Sequence, residues 1–185
     1  MKILYFLIGA SGAGKTTAAK MLEKKEISNL SFFYFDSIGV PSQDEMVKKY
    51  GSGEEWQRAK TIEWTQKIKK ERLSTKNAIL DAQTRPAFIE DACKKNNISA
   101  YKIILFDCSN KIRKQRLINR GHTDLANKRM MNWAKYLREE CISRKCVVID
   151  TSNLTIDESV SSLLAILKKK YSTRHVTPNL STCRH

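Results

Sequence analysis

Gly9-Ala-Ser-Gly-Ala-Gly-Lys-Thr16 has the spacing G-x-x-x-x-G-K-T, the signature of a loop that cradles phosphate. Before it, Lys2-Ile-Leu-Tyr-Phe-Leu-Ile8 is an apolar run that reads as a buried parallel strand. After it, Thr17-Ala-Ala-Lys-Met-Leu-Glu-Lys-Lys25 is composed mostly of good helix formers. Strand, glycine loop and helix therefore stand in the order the motif requires. Gly9, Gly12 and Gly14 permit a tight turn whose backbone N–H groups face an anion, and the new helix adds the positive end of its dipole. Ser11, Ala13 and Thr17 complete the candidate nucleotide cradle. Lys15 can bring a cation to the β- and γ-phosphates, and the Thr16 hydroxyl can ligate Mg²⁺. The default ligand is a nucleoside triphosphate, ATP. The motif does not say where the γ-phosphate goes.

A chain of 185 residues is long enough to bury one full core. No apolar run approaches the roughly 20 residues needed to span a bilayer, and the first apolar run leads straight into the glycine loop, so it reads as a strand and not as a signal peptide. The five cysteines, Cys93, Cys108, Cys141, Cys146 and Cys183, are odd in number and contain no C-x-x-C pair. That usage fits a reducing, cytoplasmic compartment better than a disulfide framework. Cys141 and Cys146 have a spacing that two metal ligands can share, but no second pair accompanies them. The net charge of +15 exceeds what ATP binding requires. It fits anionic substrates, nucleic acid or an anionic surface as partners, and also a merely basic, solvated surface, common in Lys-rich proteomes. No RNA- or DNA-binding motif decides between them.

Strands and helices alternate along the chain, which predicts an α/β three-layer sandwich with a five-stranded, mostly parallel sheet. The expected strands after the first are Leu30–Phe35, Asn77–Asp81, Tyr101–Asp107 and Cys146–Asp150. The expected helices lie over 43–50, 54–75, 86–96, 110–119, 125–140 and 156–171, with Ser42 as a cap and Pro86 in a first turn. Residues 172–185 are polar, lack periodicity and read as a loose tail. Asp36, Asp81 and Asp150 fall at or just past strand ends. In open parallel sheets that is the side where ligands sit.

Taken together, the loop at Gly9–Thr16, Asp36 after the second strand, Asp81-Ala-Gln-Thr-Arg85-Pro after the third, Arg116 and Arg120 on a basic helix, and Asp150-Thr-Ser-Asn after the fifth resemble a small P-loop kinase. The relatives are the shikimate, gluconate, adenylate and chloramphenicol kinases and the polynucleotide 5′-kinases. The resemblance covers about residues 1–170 and is most specific at the P-loop. It implies strand order 2-3-1-4-5, a kinase domain over 1–171, a helical acceptor-site insertion over about 42–75 and a small mobile lid over about 113–130. By analogy Asp36 is the candidate base for an acceptor hydroxyl, or else a Mg²⁺ ligand through water. Asp81 is a candidate for the Mg²⁺ water shell or the acceptor site, and Gln83 and Arg85 are candidate acceptor contacts, with Arg85 able to grip an acceptor phosphate. Arg116 and Arg120 lie four apart on one helix face, joined by Arg113, and are candidates to close over the β/γ-phosphates. Thr151 and Asn153 border the expected adenine site, where they also suit plain cap and turn roles. Trp56 and Trp64, eight apart, can share a face and stack on an acceptor, or pack on the sheet. The three histidines show no ligand spacing.

The expected chemistry is ATP- and Mg²⁺-dependent phosphoryl transfer to a hydroxyl or phosphate of a small-molecule or nucleotide-like acceptor. Two alternatives are a polynucleotide 5′-hydroxyl kinase, which would use the basic charge, and an ATP-binding regulatory module that hydrolyses slowly. A guanine-reading Asn-Lys-x-Asp sequence is absent.

Overall fold

The strand Leu4–Ile8 (β1) is apolar at every position and every residue in it is buried, as a strand covered on both faces must be. Its alternation sorts the core into two halves. Leu4, Phe6 and Ile8 join one cluster, whereas Tyr5 and Leu7 join the other. The computed structural model describes residues 1–169. The tail expected at 172–185, with Cys183, His175 and His185, lies outside the described residues.

The chain continues through α1 (Lys15–Glu23), β2 (Leu30–Tyr34), α2 (Gln43–Tyr50), α3 (Gly53–Glu71), β3 (Asn77–Ala82), α4 (Pro86–Lys95), β4 (Tyr101–Asp107), α5 (Asn110–Asn119), α6 (Lys128–Ser143), β5 (Val147–Asp150) and α7 (Ile156–Lys168). The five strands form one sheet in the order β2-β3-β1-β4-β5, and all four pairings are parallel. The fold is therefore the α/β arrangement expected from the alternation, in the strand order that the kinase resemblance implied. Ala18, Ala19 and Leu22 of α1 and Val160 and Leu163 of α7 cover one face of the sheet. Trp64 and Ile68 of α3, Ile89 and Cys93 of α4, and Leu137 and Cys141 of α6 cover the other. Each fully buried Leu, Ile or Phe contributes about 1.5–3 kcal/mol, so these two layers bind the helices to the sheet and leave its carboxyl edge for function.

Helix boundaries follow local hydrogen bonding. Ser42 and Glu45 form a reciprocal capping box at α2, and the Ser109 hydroxyl accepts from Ile112 N–H at α5. The helix expected from residue 125 begins three residues later. A 3-10 turn occupies Thr123–Leu125, and the Asn127 side chain accepts the N–H of Met130, making Asn127 the cap. The strand expected to reach Phe35 stops at Tyr34, because Phe35–Ile38 curls into a second 3-10 turn. That turn carries Asp36 off the sheet edge toward the glycine loop.

Candidate active site

The loop from Gly9 to Gly14 joins β1 to α1 and bends over the end of β4. Gly9 has φ +153, and a Cβ there would stand 2.3 Å from the carbonyl oxygen of Phe106. Gly12 has φ +85, and its Cβ would meet Arg113 Cγ at 3.0 Å. Both positions therefore demand glycine for conformation and for space.

Lys15 opens α1 and its Nζ lies 3.1 Å from Oδ1 of Asp81. The Thr16 hydroxyl accepts from the same Nζ at 3.3 Å. Asp81 is buried within β3, in register with Leu7 of β1. Lys15 and Thr16, with Asp36, Gln83, Arg120 and His122, line a cavity of about 190 Å³ over the loop, and Asp81 lies behind Lys15. The Ser11 hydroxyl donates to Gln83 Oε1 at 3.3 Å. Among the described residues no cluster of three His, Cys, Asp or Glu forms a ready metal cage.

The arginines of α5 separate. Arg113 is fully buried. Its Nη1 donates to the carbonyls of Ala10 at 3.2 Å and Ser11 at 3.0 Å, and its Nη2 to Asp107 Oδ1 at 2.7 Å and Cys108 O at 3.2 Å. Burial pushes the Arg113 pKa below its ordinary value, but an arginine stays charged through such a shift. Arg138 of α6 takes the other oxygen of Asp107, and that hydrogen bond raises its own pKa. Arg116 donates to the Thr151 hydroxyl at 2.9 Å and carbonyl at 2.7 Å. Arg120 alone of the three reaches the cavity, and it donates to the Thr17 hydroxyl at 3.3 Å. Thr151 is buried, and its hydroxyl is within donating distance of Ala13 O and Asp107 O, 3.0 Å from each. Its side chain thus ties β5 to the loop. Asn153 is exposed.

A second, larger cleft of about 750 Å³ opens beside the first, between α2, α3 and α6. Gln83 and Leu125 line both. Trp56 lines the cleft while packing edge-on against Phe35, with ring centroids 5.8 Å apart. Trp64 belongs to the core and donates its indole N–H to Phe35 O. Arg85 points into the cleft, bonded to Gln57 Oε1 at 2.8 Å and Glu54 Oε2 at 3.0 Å. The guanidinium lies 5.1 Å from the Trp133 ring centroid, and Trp133 stacks on Tyr136. Sequence reasoning gave no role to Asp107, His122, Trp133 or Tyr136. A signal existed for the last two, since Arg129, Trp133 and Tyr136 recur at i, i+4 and i+7 on one helix face.

A family model described as an AAA domain matches residues 6–132, from β1 through the first turns of α6. The chain belongs to that family. Its fold is similar to that of a sugar kinase from Janibacter sp. HTCC2649, with a TM-score of 0.63 and 16% identity over 90% of this chain and 95% of that one. It is similar to shikimate kinase from Acinetobacter baumannii, with a TM-score of 0.60 and 13% identity over 90% and 93%. Thymidylate kinase from Candida albicans gives a TM-score of 0.62 and 16% identity over 90% and 91%. No curated protein sequence matches the chain. The architecture is that of the small P-loop kinases.

Proposed function

We propose that this protein is an ATP- and Mg²⁺-dependent phosphotransferase whose acceptor enters the larger cleft. The observation that carries this reading is the junction at Gln83, whose side chain borders both the cavity over the glycine loop and the cleft beside it. A phosphoryl donor and an acceptor held in two such spaces meet in one step.

The backbone of residues 9–16 would hold the triphosphate, as its helix N-terminus and glycines suit. Lys15 and Arg120 would neutralise charge on the transferring group, the main service a protein gives this reaction. Thr16 and, through water, Asp81 would hold Mg²⁺, which when bound draws charge from the β- and γ-oxygens. The buried Asp81 carboxylate, ion-paired with Lys15, fits that use. Asp36, exposed on its 3-10 turn at the cavity edge, would take the acceptor proton. The segment between α5 and α6, which carries Arg120 and His122, would be the small lid, and α2 with α3 the acceptor-side insertion.

The test is ADP release with MgATP and a broad acceptor panel, run on wild type, Lys15→Ala and Asp36→Asn. Undiminished turnover in Lys15→Ala sinks the phosphate-site assignment. Asp36→Asn should keep ATP affinity and lose about 100-fold or more in transfer; retained transfer removes Asp36 as the base. Turnover that no acceptor stimulates would make the protein a slow ATPase instead.

A further inference from the structure

Resting on that phosphotransfer reading, we infer that the acceptor is an uncharged nucleoside, and that Glu54 is the residue that turns away acceptors bearing a phosphate or carboxylate. The sequence offers Arg85 as the obvious grip for an acceptor phosphate. Its surroundings assign it otherwise. A phosphate-gripping arginine presents a free fork of N–H donors. Here Nη1 is bonded to Gln57 Oε1 at 2.8 Å and Nη2 to Glu54 Oε2 at 3.0 Å, so both terminal nitrogens already serve an acceptor and Glu54 offsets the charge. The faces of the guanidinium are also used. Its carbon lies 5.1 Å from the ring centroid of Trp133, 5.2 Å from that of Phe88 and 5.8 Å from that of Tyr136, which is cation–π distance. Arg85 is thus a strut that sets an aromatic wall. Among the described residues lining the cleft the other cation is Arg129, which is exposed.

The rest of the cleft suits a neutral ring. Trp133 and Tyr136 lie nearly parallel, at 19°, with centroids 5.4 Å apart, and Trp56 supplies a further ring. Flat aromatic walls favour a flat ligand. Gln43, Gln83 and Asn132 add carboxamides, each with donors and an acceptor and no charge, which match the mixed donor–acceptor edge of a nucleobase. A cleft of about 750 Å³ has room for a ligand of that size. In the transfer, the nucleoside hydroxyl oxygen forms the new bond to the γ-phosphorus. The bond from that phosphorus to the β–γ bridging oxygen breaks, its electron pair leaves on ADP, and the hydroxyl proton passes to Asp36.

The experiment measures ADP release from MgATP with adenosine, guanosine, cytidine and thymidine, with their 5′-monophosphates, and with a short 5′-hydroxyl oligothymidylate. Wild type and Glu54→Gln are compared, with MgATP binding followed by calorimetry in both. Glu54 is half exposed, with 52% of its side chain accessible, so the conservative variant should fold. At least one nucleoside should raise ADP release tenfold or more over background in wild type, with its monophosphate inactive. Glu54→Gln, by freeing Arg85, should raise the monophosphate-to-nucleoside ratio of kcat/KM at least tenfold. The inference is overturned if monophosphates or the oligonucleotide are preferred by wild type, if no nucleoside stimulates, or if the ratio does not move in Glu54→Gln. Intact MgATP binding in those cases shows that the donor half of the phosphotransfer reading survives; absent MgATP binding means that reading has failed first.

Discussion

The two halves of the candidate site are built in opposite ways. Under the glycine loop, a fully buried arginine spends four hydrogen bonds on two loop carbonyls, one aspartate and one carbonyl from the end of β4. In the cleft next door, the walls come from α2, α3, the start of α4 and α6, and ion pairs such as Arg85–Glu54 are open to water. On the proposed phosphotransfer, the donor phosphate would be the same in every turnover, and a rigid backbone cradle would suit it. Part of the cleft wall is made of polar side chains outside the core, such as Gln43, Glu54, Arg85 and Asn132. Its specificity can therefore change by a few substitutions while the sheet and loop stay as they are.

The largest expected effect breaks the donor side. Arg113→Ala leaves Asp107 buried with Arg138 as its remaining ion-pair partner among the described residues and takes two donors from the loop carbonyls. Removing one member of a buried pair costs about 3–5 kcal/mol, which a urea titration will show as a large drop in midpoint. Arg113→Lys should recover only part of it, because an ammonium cannot serve the loop and Asp107 with one planar fork. The matching change in the cleft, Glu54→Gln, should leave the midpoint near wild type. Equal losses at the two sites would erase the contrast between a locked donor half and an adaptable acceptor half.

Next in size is Lys15. Lys15→Ala should lower turnover by about 10²–10³-fold, but it also leaves Asp81 buried without its cation. The double variant Lys15→Ala/Asp81→Asn separates the two consequences. Its urea midpoint should return toward wild type while turnover stays lost. Recovery of turnover in the double variant would mean that Lys15 serves only to neutralise Asp81.

The glycine loop was legible in the sequence because backbone geometry there is written in residue type. Glycines at fixed spacing, a lysine and a threonine need no partner to be read. The strand Tyr101–Asp107 and helix Asn110–Asn119 were legible to the residue, since apolar runs and a Ser109 cap mark their ends. Asp107 was not, because an acid at a strand end carries no mark of the arginine it meets six residues later across a turn. Arg113, Arg116 and Arg120 looked alike on one helix face. Position along that face sorts them: the first lies under the loop, the second binds Thr151, and the last reaches the cavity over the loop. The acceptor wall was least legible, because Trp56, Arg85 and Trp133 come together only through the packing of three helices, and tertiary contacts of that kind leave no local pattern.

The smallest effect lies at the far edge of the donor half. Asp150 accepts the backbone N–H of Ser152 at 2.9 Å and its hydroxyl at 2.6 Å, and Ser152 Oγ in turn accepts Ser109 N–H at the start of α5 at 2.8 Å. These hydrogen bonds from Ser152 hold the Asp150 carboxyl below its ordinary value. A lowered folded-state pKa means that the unfolded chain binds the proton more readily. The resulting stability is fully present above the unfolded value, about 3.9, and is lost as pH falls through the folded value. Because Asp150 is exposed, the contribution should stay below about 1 kcal/mol. Urea midpoints for wild type and Ser152→Ala, measured from pH 6 down to pH 2.5, test it. The carboxyls of Glu45 and Glu158, also lowered by their helix caps, titrate in both proteins and cancel in the difference. The gap between the two midpoints should be constant near neutrality and should shrink on acidification below the ordinary aspartate range. A gap that persists unchanged at pH 2.5 would mean that Ser152 supports the loop through Ser109 alone, and that the Asp150 carboxylate adds nothing to the rigidity of the donor side.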